Sequence, residues 1–585
     1  MKKLCYFLIL TLACISCQTQ RVKNIETGIN FINTWKFKTG DSVAWSSNAF
    51  DDASWDTLSA GKPWEEQGYQ NYDGVAWYRK SITIPASVKN GFINDYKGLL
   101  LCLGKIDDAD EVFFNGKLIG HTGSMTDRNN GAYSVDRNYV VPEKLIRWDS
   151  ANLIAVRVMD FGGNGGMYSG KYTLHYTTWI DYVTCESALD KPEGIYSSSE
   201  KVVPTFTFAN NTGKQLNLHI TFIVNTDQKL EVSKNEQQVT ITDQSKSVVK
   251  FECGPLQAGF YTVKYILTSD LGSDTLSDFI GFGVDPTAVK PALTRPADFD
   301  EYWNDARKEL AAVKPGFKMI PQKEYSTKTT NVYLVEMYSL GNALIRGWYS
   351  VPVKKGKYPA MLRVQGYSSS QMPDVKTEGF VVFVLNIRGH GNSKDSVNPG
   401  FPGYLLSHID DKEKYIYRGA YMDCLRAVDF ICSRPEADTS KIVVLGGSQG
   451  GALSFATAAL DKRIKLCSPH IPFLSDFRSY FKIAPWPANE FTKYVNTHPE
   501  TNWDKVYGVL DYIDIKNLAP WIKVPILMGV GLKDMTCPPY INFAAFNNVS
   551  STDKEFFVYP NNGHSCPDKH FVYEMQWIKK HFNIK

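Results

Sequence analysis

The chain has 585 residues, 43% hydrophobic, 21% charged and 13% aromatic, with 43 glycines and 28 prolines. At roughly 100–200 residues per domain, that length excludes a single small module, and the apolar content excludes a disordered or fibrous chain. The 64 Lys and Arg against 61 Asp and Glu leave a formal charge of +3 with no basic block of the kind that neutralises phosphates, so nucleic acid is not an expected partner.

The first residues, MKKLCYFLILTLACISC, set Lys2 and Lys3 before an apolar run from Leu4 to Ile15 that ends in Ser16 and Cys17. This pattern predicts a secretory signal over residues 1–16, removed on maturation. A helix over the apolar run is about 18 Å long, short of the ~30 Å hydrocarbon core, so it is not a permanent span. Small residues before Cys17 and polar Gln-Thr-Gln after it resemble the lipobox of bacterial lipoproteins. That resemblance implies lipidation of Cys17, a membrane anchor and an outer-membrane location on either the periplasmic or the surface face; the alternative is an ordinary cleaved signal with an incidental Cys. Beyond Cys17 the cysteines form no C-x-x-C pair and no Cys/His metal spacing. Most are expected as buried small apolar residues, with one or two bridges permitted in an oxidising compartment.

Residues 25–185 are rich in Trp, Tyr, Gly, Asn and Asp, with short alternating segments such as WYRKSITIP (77–85), EVFFNGKLIG (111–120) and NLIAVRVMD (152–160). Strands of this length separated by turns such as Asn115-Gly116 predict an antiparallel sandwich. The stretches Trp35-Lys-Phe37, Phe50-Asp-Asp-Ala-Ser-Trp55, Pro63-Trp64, Gly74-Val-Ala-Trp-Tyr-Arg79 and Phe114-Asn-Gly116 resemble the sugar-binding jelly roll of glycoside hydrolase family 2 and related galactose-binding-like domains. Within that framework Trp35, Trp55 and Trp77 are expected to fill the core. Trp64, Tyr69 and Tyr72 are the candidates for stacking on a sugar ring.

Residues 190–285 carry a second set of alternating segments at intervals of roughly ten residues, which predicts an immunoglobulin-like sandwich acting as a spacer or as a wall against the next domain. A linker, 285–296, then places three prolines in twelve residues. From residue 290 to 585 the period changes. The apolar strands PAMLRVQ (359–365), GFVVFVLNI (379–387), KIVVLGG (441–447), KVPILMGVG (523–531) and KEFFVYP (554–560) alternate with helical stretches at 417–432 and 451–461. Buried strands alternating with helices predict a parallel sheet in an α/β domain, which the serine motif and the family resemblance given below make an α/β-hydrolase.

The chemistry is expected at Gly446-Gly-Ser448-Gln-Gly450. The motif follows a strand and opens a helix, the setting in which a sharp turn lifts a serine hydroxyl clear of the backbone. A Ser hydroxyl needs a base to take its proton, and in this fold class an acid and then a His follow on later strands. Two strands run directly into Asp534 and His564, so Ser448, Asp534 and His564 are the predicted nucleophile, orienting acid and general base. Oxyanion donors are expected from the backbone N–H groups of Gln449 and Tyr367, and the Tyr367 ring is placed to cover a small acyl group. For His390, His470 and His570, core or surface roles are expected.

The segment from about 290 resembles the acetyl xylan esterase / cephalosporin C deacetylase family, on Arg295-Pro-Ala-Asp298, Gln365-Gly-Tyr367, Ile387-Arg-Gly389, Tyr417-Arg-Gly-Ala-Tyr-Met-Asp423, Ser433-Arg-Pro-Glu436, Gly446-Gly-Ser-Gln-Gly-Gly451, Pro472-Phe473, Gly531-Leu-Lys-Asp534 and Gly563-His564. The resemblance implies hydrolysis of acetyl esters on xylan-like or pectin-like glycans, with no metal or organic cofactor. Two positions depart from the family pattern, His390 in place of Gln and Ser565 in place of Glu, both beside the triad rather than in it. The rival readings are a prolyl oligopeptidase-type serine peptidase and a non-catalytic glycan-binding lipoprotein. The oligomeric state does not follow from the sequence.

Overall fold

The computed structural model describes residues 20–21, 26–31, 34–70, 72–93, 96–126, 132–133, 135–161, 165–401 and 403–584. The signal segment and Cys17 lie outside the described residues. No helix among those described is long and apolar enough to cross a membrane.

The chain is multi-domain, with all-β sheets in its N-terminal half and a mixed sheet with helices in its C-terminal half. The first two sheets, of six and five strands, are antiparallel throughout and face one another across a core of Trp35, Phe37, Trp64, Tyr78, Leu101, Phe114, Ile154 and Val156. Trp35 and Trp77 are fully buried and Trp55 nearly so, as expected of framework aromatics. Trp64 differs from its expected role. It is also fully buried, its indole N–H donates to Tyr72 O at 3.1 Å, and its ring lies 5.7 Å from those of Phe37 and Tyr72. Tyr72 donates its hydroxyl to Val75 O at 2.6 Å and Tyr69 donates to Asp56. Trp64 is therefore part of the packed core, while Tyr69 and Tyr72, both half-buried, pack against its rim.

The second sandwich is built on the long strands Leu216–Thr226, Glu231–Ile241, Gly259–Ser269 and Gly272–Val284, facing a three-stranded sheet. The strand Val183–Ala188 pairs with Thr205–Asn210, so it joins this sandwich and not the first, a few residues earlier than the pattern indicated. Its buried–exposed alternation is too short and too polar to be assigned to a sheet by sequence.

The C-terminal sheet has nine strands: β1 (Lys318–Pro321), β2 (Thr330–Ser339), β3 (Ala343–Pro352), β4 (Tyr358–Val364), β5 (Val381–Asn386), β6 (Ala437–Gly447), β7 (Leu466–His470), β8 (Ile526–Gly531) and β9 (Lys554–Tyr559), in the order β1-β2-β3-β5-β4-β6-β7-β8-β9. The strands from β5 to β9 are parallel as expected, and every residue of β5 and β8 is buried. The edge β1–β3 is antiparallel, a meander whose half-exposed strands lack the continuous apolar runs of the rest. Helices α1 (Phe299–Ala312), α2 (Ile416–Cys432) and α3 (Gln449–Leu460) cover the sheet, with α2 and α3 almost wholly buried.

The second sandwich is a wall rather than a detached spacer. Phe260 packs on Phe543 with ring centroids 5.1 Å apart, and Gly281 lies against the backbone of Leu532. The proline-rich linker is tied down by Asn547, which donates to Pro286 O and Val289 O, and by Thr294 and Arg295, which bond Asn517. The eight cysteines of the described residues are free thiols, four buried and four half-buried, with no bridge among them.

Candidate active site

Ser448 sits between β6 and α3 at φ 58° and ψ −119°, a conformation a non-glycine residue adopts only when its surroundings force it, at a cost of about 1–3 kcal/mol. Its N–H donates to His470 O at 2.9 Å, and its carbonyl accepts from Phe473 N–H at 3.0 Å. The turn is made tight by close approach: a Cβ at Gly446 or at Gly450 would overlap Val364 O at the end of β4. Only glycine lets the elbow sit down on the neighbouring strand.

Asp534 follows β8 and is 2% exposed. One carboxylate oxygen takes the backbone N–H groups of Thr536 and Cys537, each at 2.8 Å, and the other lies 2.7 Å from His564 Nδ1. With Asp534 ionised, Nδ1 is the protonated nitrogen and Nε2 carries the free lone pair. The loop bearing His564 is held beside the acid by the Lys533 N–H bond to Asn562 O at 2.9 Å. All three predicted residues thus lie past the carboxyl ends of parallel strands on one edge of the sheet, where α/β sites form. The acid and His are in contact. Ser448 makes no hydrogen bond to His564 among the described residues; its side chain lies next to the Cys537 thiol, and such contacts tighten in substrate complexes.

Gln449 is the first residue of α3, so its N–H has no acceptor within the helix. The Gly366-Tyr367 turn runs alongside Gly447, and the Tyr367 N–H has no partner among the described residues. The Gln449 side chain is fixed by Tyr417, which donates to its Oε1 at 2.8 Å, and by His390, whose Nε2 lies 3.2 Å from its Nε2. Burial pushes His390 down to about 4, so the ring is neutral and Nε2 accepts from Gln449 while Nδ1–H faces Arg388 O. Arg388 is in turn locked by a double contact with the buried Asp423, at 2.9 and 2.7 Å. The departure at position 390 therefore acts on the side chain of the residue after the nucleophile. At the other departure, Ser565 accepts from Asn562 Nδ2 at 3.3 Å within the His564 loop.

Sequence reasoning did not find the aromatic wall. The Tyr367 ring meets Phe401 edge-on at 4.9 Å and Trp486 at 5.4 Å, and Trp486 stacks on Phe473 at 5.2 Å. Trp486 sits at a non-helical kink at the start of the helix Pro485–Thr497, a segment that carries no motif of its own. From the first sandwich comes Tyr133, 40% exposed, whose phenol is pushed up by its desolvated setting and then by the charge of Asp534.

A strained serine elbow, an Asp–His pair and two free N–H donors at the carboxyl edge of a parallel sheet define an α/β-hydrolase with the parts of an esterase. The family model for acetyl xylan esterase (AXE1) matches residues 287–581. The chain belongs to that family and is a carbohydrate esterase. It is similar to the acetyl esterase Axe7A of Xylanibacter ruminicola, 28% identical over 316 residues that make up 51% of this chain and 70% of that one. Among solved structures, an acetyl xylan esterase from Paenibacillus sp. R4 is 33% identical over 50% of this chain and 98% of its own, with a TM-score of 0.48. Acetyl xylan esterase 1 from Thermoanaerobacterium sp. JW/SL YS485 is 32% identical over 51% and 98%, also at 0.48.

Proposed function

We propose that this protein removes acetyl groups from xylan-like or pectin-like glycans through an acyl-enzyme on Ser448. The observation that carries the reading is the 2.7 Å contact between Asp534 and His564 Nδ1 on the same sheet edge as the strained Ser448. His564 Nε2 takes the Ser448 proton as Oγ attacks the acetyl carbonyl, and the N–H groups of Tyr367 and Gln449 receive the developing oxyanion. The proton passes to the sugar oxygen as the C–O bond breaks. Water, deprotonated by His564, then attacks acetyl-Ser448, and acetate leaves as the serine recovers its proton. The ring of Tyr367, backed by Trp486 and Phe401, closes the acyl side against groups larger than acetyl. The chain is anchored to a bacterial outer membrane by a lipid on Cys17.

The test compares the mature protein with its Ser448→Ala variant on acetylated xylan, acetylated pectin, p-nitrophenyl acetate and a prolyl peptide. Acetate release by the wild type alone is the expected result. Amine release from the peptide supports a peptidase, glycan binding without turnover supports a non-catalytic lipoprotein, and equal acetate release by both proteins overturns the reading. Metabolic labelling with palmitate, lost in Cys17→Ala, tests the anchor.

A further inference from the structure

Beneath the nucleophile elbow lies a cluster that the acyl-transfer chemistry does not use. His470 ends β7, and His570 and Glu574 stand one turn apart on the C-terminal helix (Asp568–His581); all three are buried, at 6%, 0% and 3% exposure. One donor atom from each lies within 4.8 Å of the others. His470 Nε2 is 2.7 Å from Glu574 Oε1. The His570 ring stands at 88° to that of His470 with centroids 5.0 Å apart.

His570 is the informative member. Its Nδ1 lies 2.9 Å from the Tyr559 hydroxyl, while its Nε2 is buried with no hydrogen-bond partner among the described residues. A buried imidazole nitrogen left unpaired is destabilising, and the contact between His470 and Glu574 does nothing to relieve it. A divalent cation does: it accepts the lone pairs of both imidazoles and a carboxylate oxygen together. Tyr559 supplies the outer contact that orients a ligating His through its other nitrogen. Gly529 leaves the space open, since a Cβ there would stand 2.8 Å from His570 Nε2 and 2.6 Å from Cys566 Sγ.

We propose that His470, His570 and Glu574 form a structural site for a divalent transition metal of the zinc class, with two imidazoles and one carboxylate as ligands. The pair spaced i, i+4 on one helix face and a third ligand from a strand end suit tetrahedral zinc, with the fourth position taken by water. The metal ties the helix that follows the His564 loop to the strand end whose carbonyl holds the Ser448 N–H, without touching substrate. Sequence spacing could not show this site, because His470 lies far from the other two ligands along the chain.

The test uses the tag-free mature chain, stripped with a chelator, incubated with zinc chloride, gel-filtered and assayed for zinc by mass spectrometry. About one equivalent is expected in the wild type, and binding at least about tenfold weaker in His570→Ala and in Glu574→Gln. At zinc roughly 100-fold above the dissociation constant the thermal midpoint rises by about 5 °C. Ser448→Ala must bind zinc like the wild type, which separates this proposal from the esterase reading. Should a variant fail to fold, as judged by circular dichroism, the cobalt-loaded wild type still decides through the visible absorption of a four-coordinate site. Less than about 0.1 equivalent in the wild type, equal zinc in wild type and a folded Glu574→Gln, or a six-coordinate cobalt spectrum overturns the proposal.

Discussion

Lys533 Nζ lies 3.7 Å from Asp278 Oδ2, and both side chains are buried, at 7% and 1% exposure. Asp278 belongs to the second sandwich and Lys533 is the residue before Asp534, so the β wall is joined electrostatically to the loop that presents the acid. The Lys533 ammonium also lies 5.4 Å from the centroid of the Phe279 ring. Removing the carboxylate leaves a cation buried at the contact, an error that costs about 3–5 kcal/mol in comparable settings. Asp278→Asn is therefore expected to lose about 3 kcal/mol in urea denaturation, and Lys533→Met in that background to regain most of it. A loss below about 0.5 kcal/mol contradicts the coupling.

Asp534→Asn tests the tautomer argument. An amide can present its NH₂ to His564 Nδ1, which moves the ring proton to Nε2 and removes the lone pair that must accept from Ser448. The expected effect on p-nitrophenyl acetate is a fall of about 10⁴-fold in kcat with KM little changed. A fall of only a few fold would mean that another group orients the imidazole.

Much of this site was legible because it is local. The serine elbow is written in five adjacent residues, and Asp534 and His564 each follow a strand that its own apolar run announces. The Tyr367 ring and the Gln449 N–H could be placed by their neighbours in the chain. What stayed hidden depends on contacts between distant residues: Trp64 becomes core only when Phe37 and Tyr72 close on it, and Trp486 joins the site from an unmarked kink between helices. Lys533 reads as an ordinary surface charge until Asp278, some 250 residues earlier, is brought against it. The antiparallel edge β1–β3 was missed for a different reason, since half-exposed strands have no continuous apolar signature.

Gly450→Ala tests the close approach at the elbow. The added methyl overlaps Val364 O, a backbone atom in the middle of a buried sheet that cannot turn aside as a flexible side chain would. Overpacking of this kind costs about 1–3 kcal/mol, and displacement of a nucleophile by about 1 Å costs about 10²-fold in rate. Both losses are expected together, read by thermal unfolding and by acetate release. A variant with wild-type turnover would show that the elbow has slack.

His390 gives the acid limb of stability a specific origin. The folded ring titrates at about 4 because burial disfavours its charge, while in the unfolded chain it titrates near ~6.5. Between those values the unfolded state binds the extra proton, so stability is complete above about pH 6.5 and falls as pH drops towards 4, by up to about 3 kcal/mol. His390→Gln removes this loss and keeps a side chain able to bond Gln449. Between pH 7 and 4.5 the variant is expected to lose about 2 kcal/mol less than the wild type in paired denaturation curves. Identical curves would place the acid sensitivity elsewhere.

Tyr133→Ala tests whether the first sandwich contributes to holding the polymer. Tyr133 reaches the site from the first sandwich, stays 40% exposed, and feels the Asp534 charge, yet it stands outside the Ser448, His564 and oxyanion contacts. Such a ring can lie against a sugar next to the one being deacetylated, and an aromatic contact of this kind contributes about 1 kcal/mol, about fivefold. Tyr133→Ala is therefore expected to lower kcat/KM on acetylated xylan about fivefold, chiefly through KM, and to leave p-nitrophenyl acetate within about twofold of wild type. Equal losses on both substrates would mean that Tyr133 holds the acid loop in place instead of the glycan, because only a structural role moves the small substrate as much as the large one.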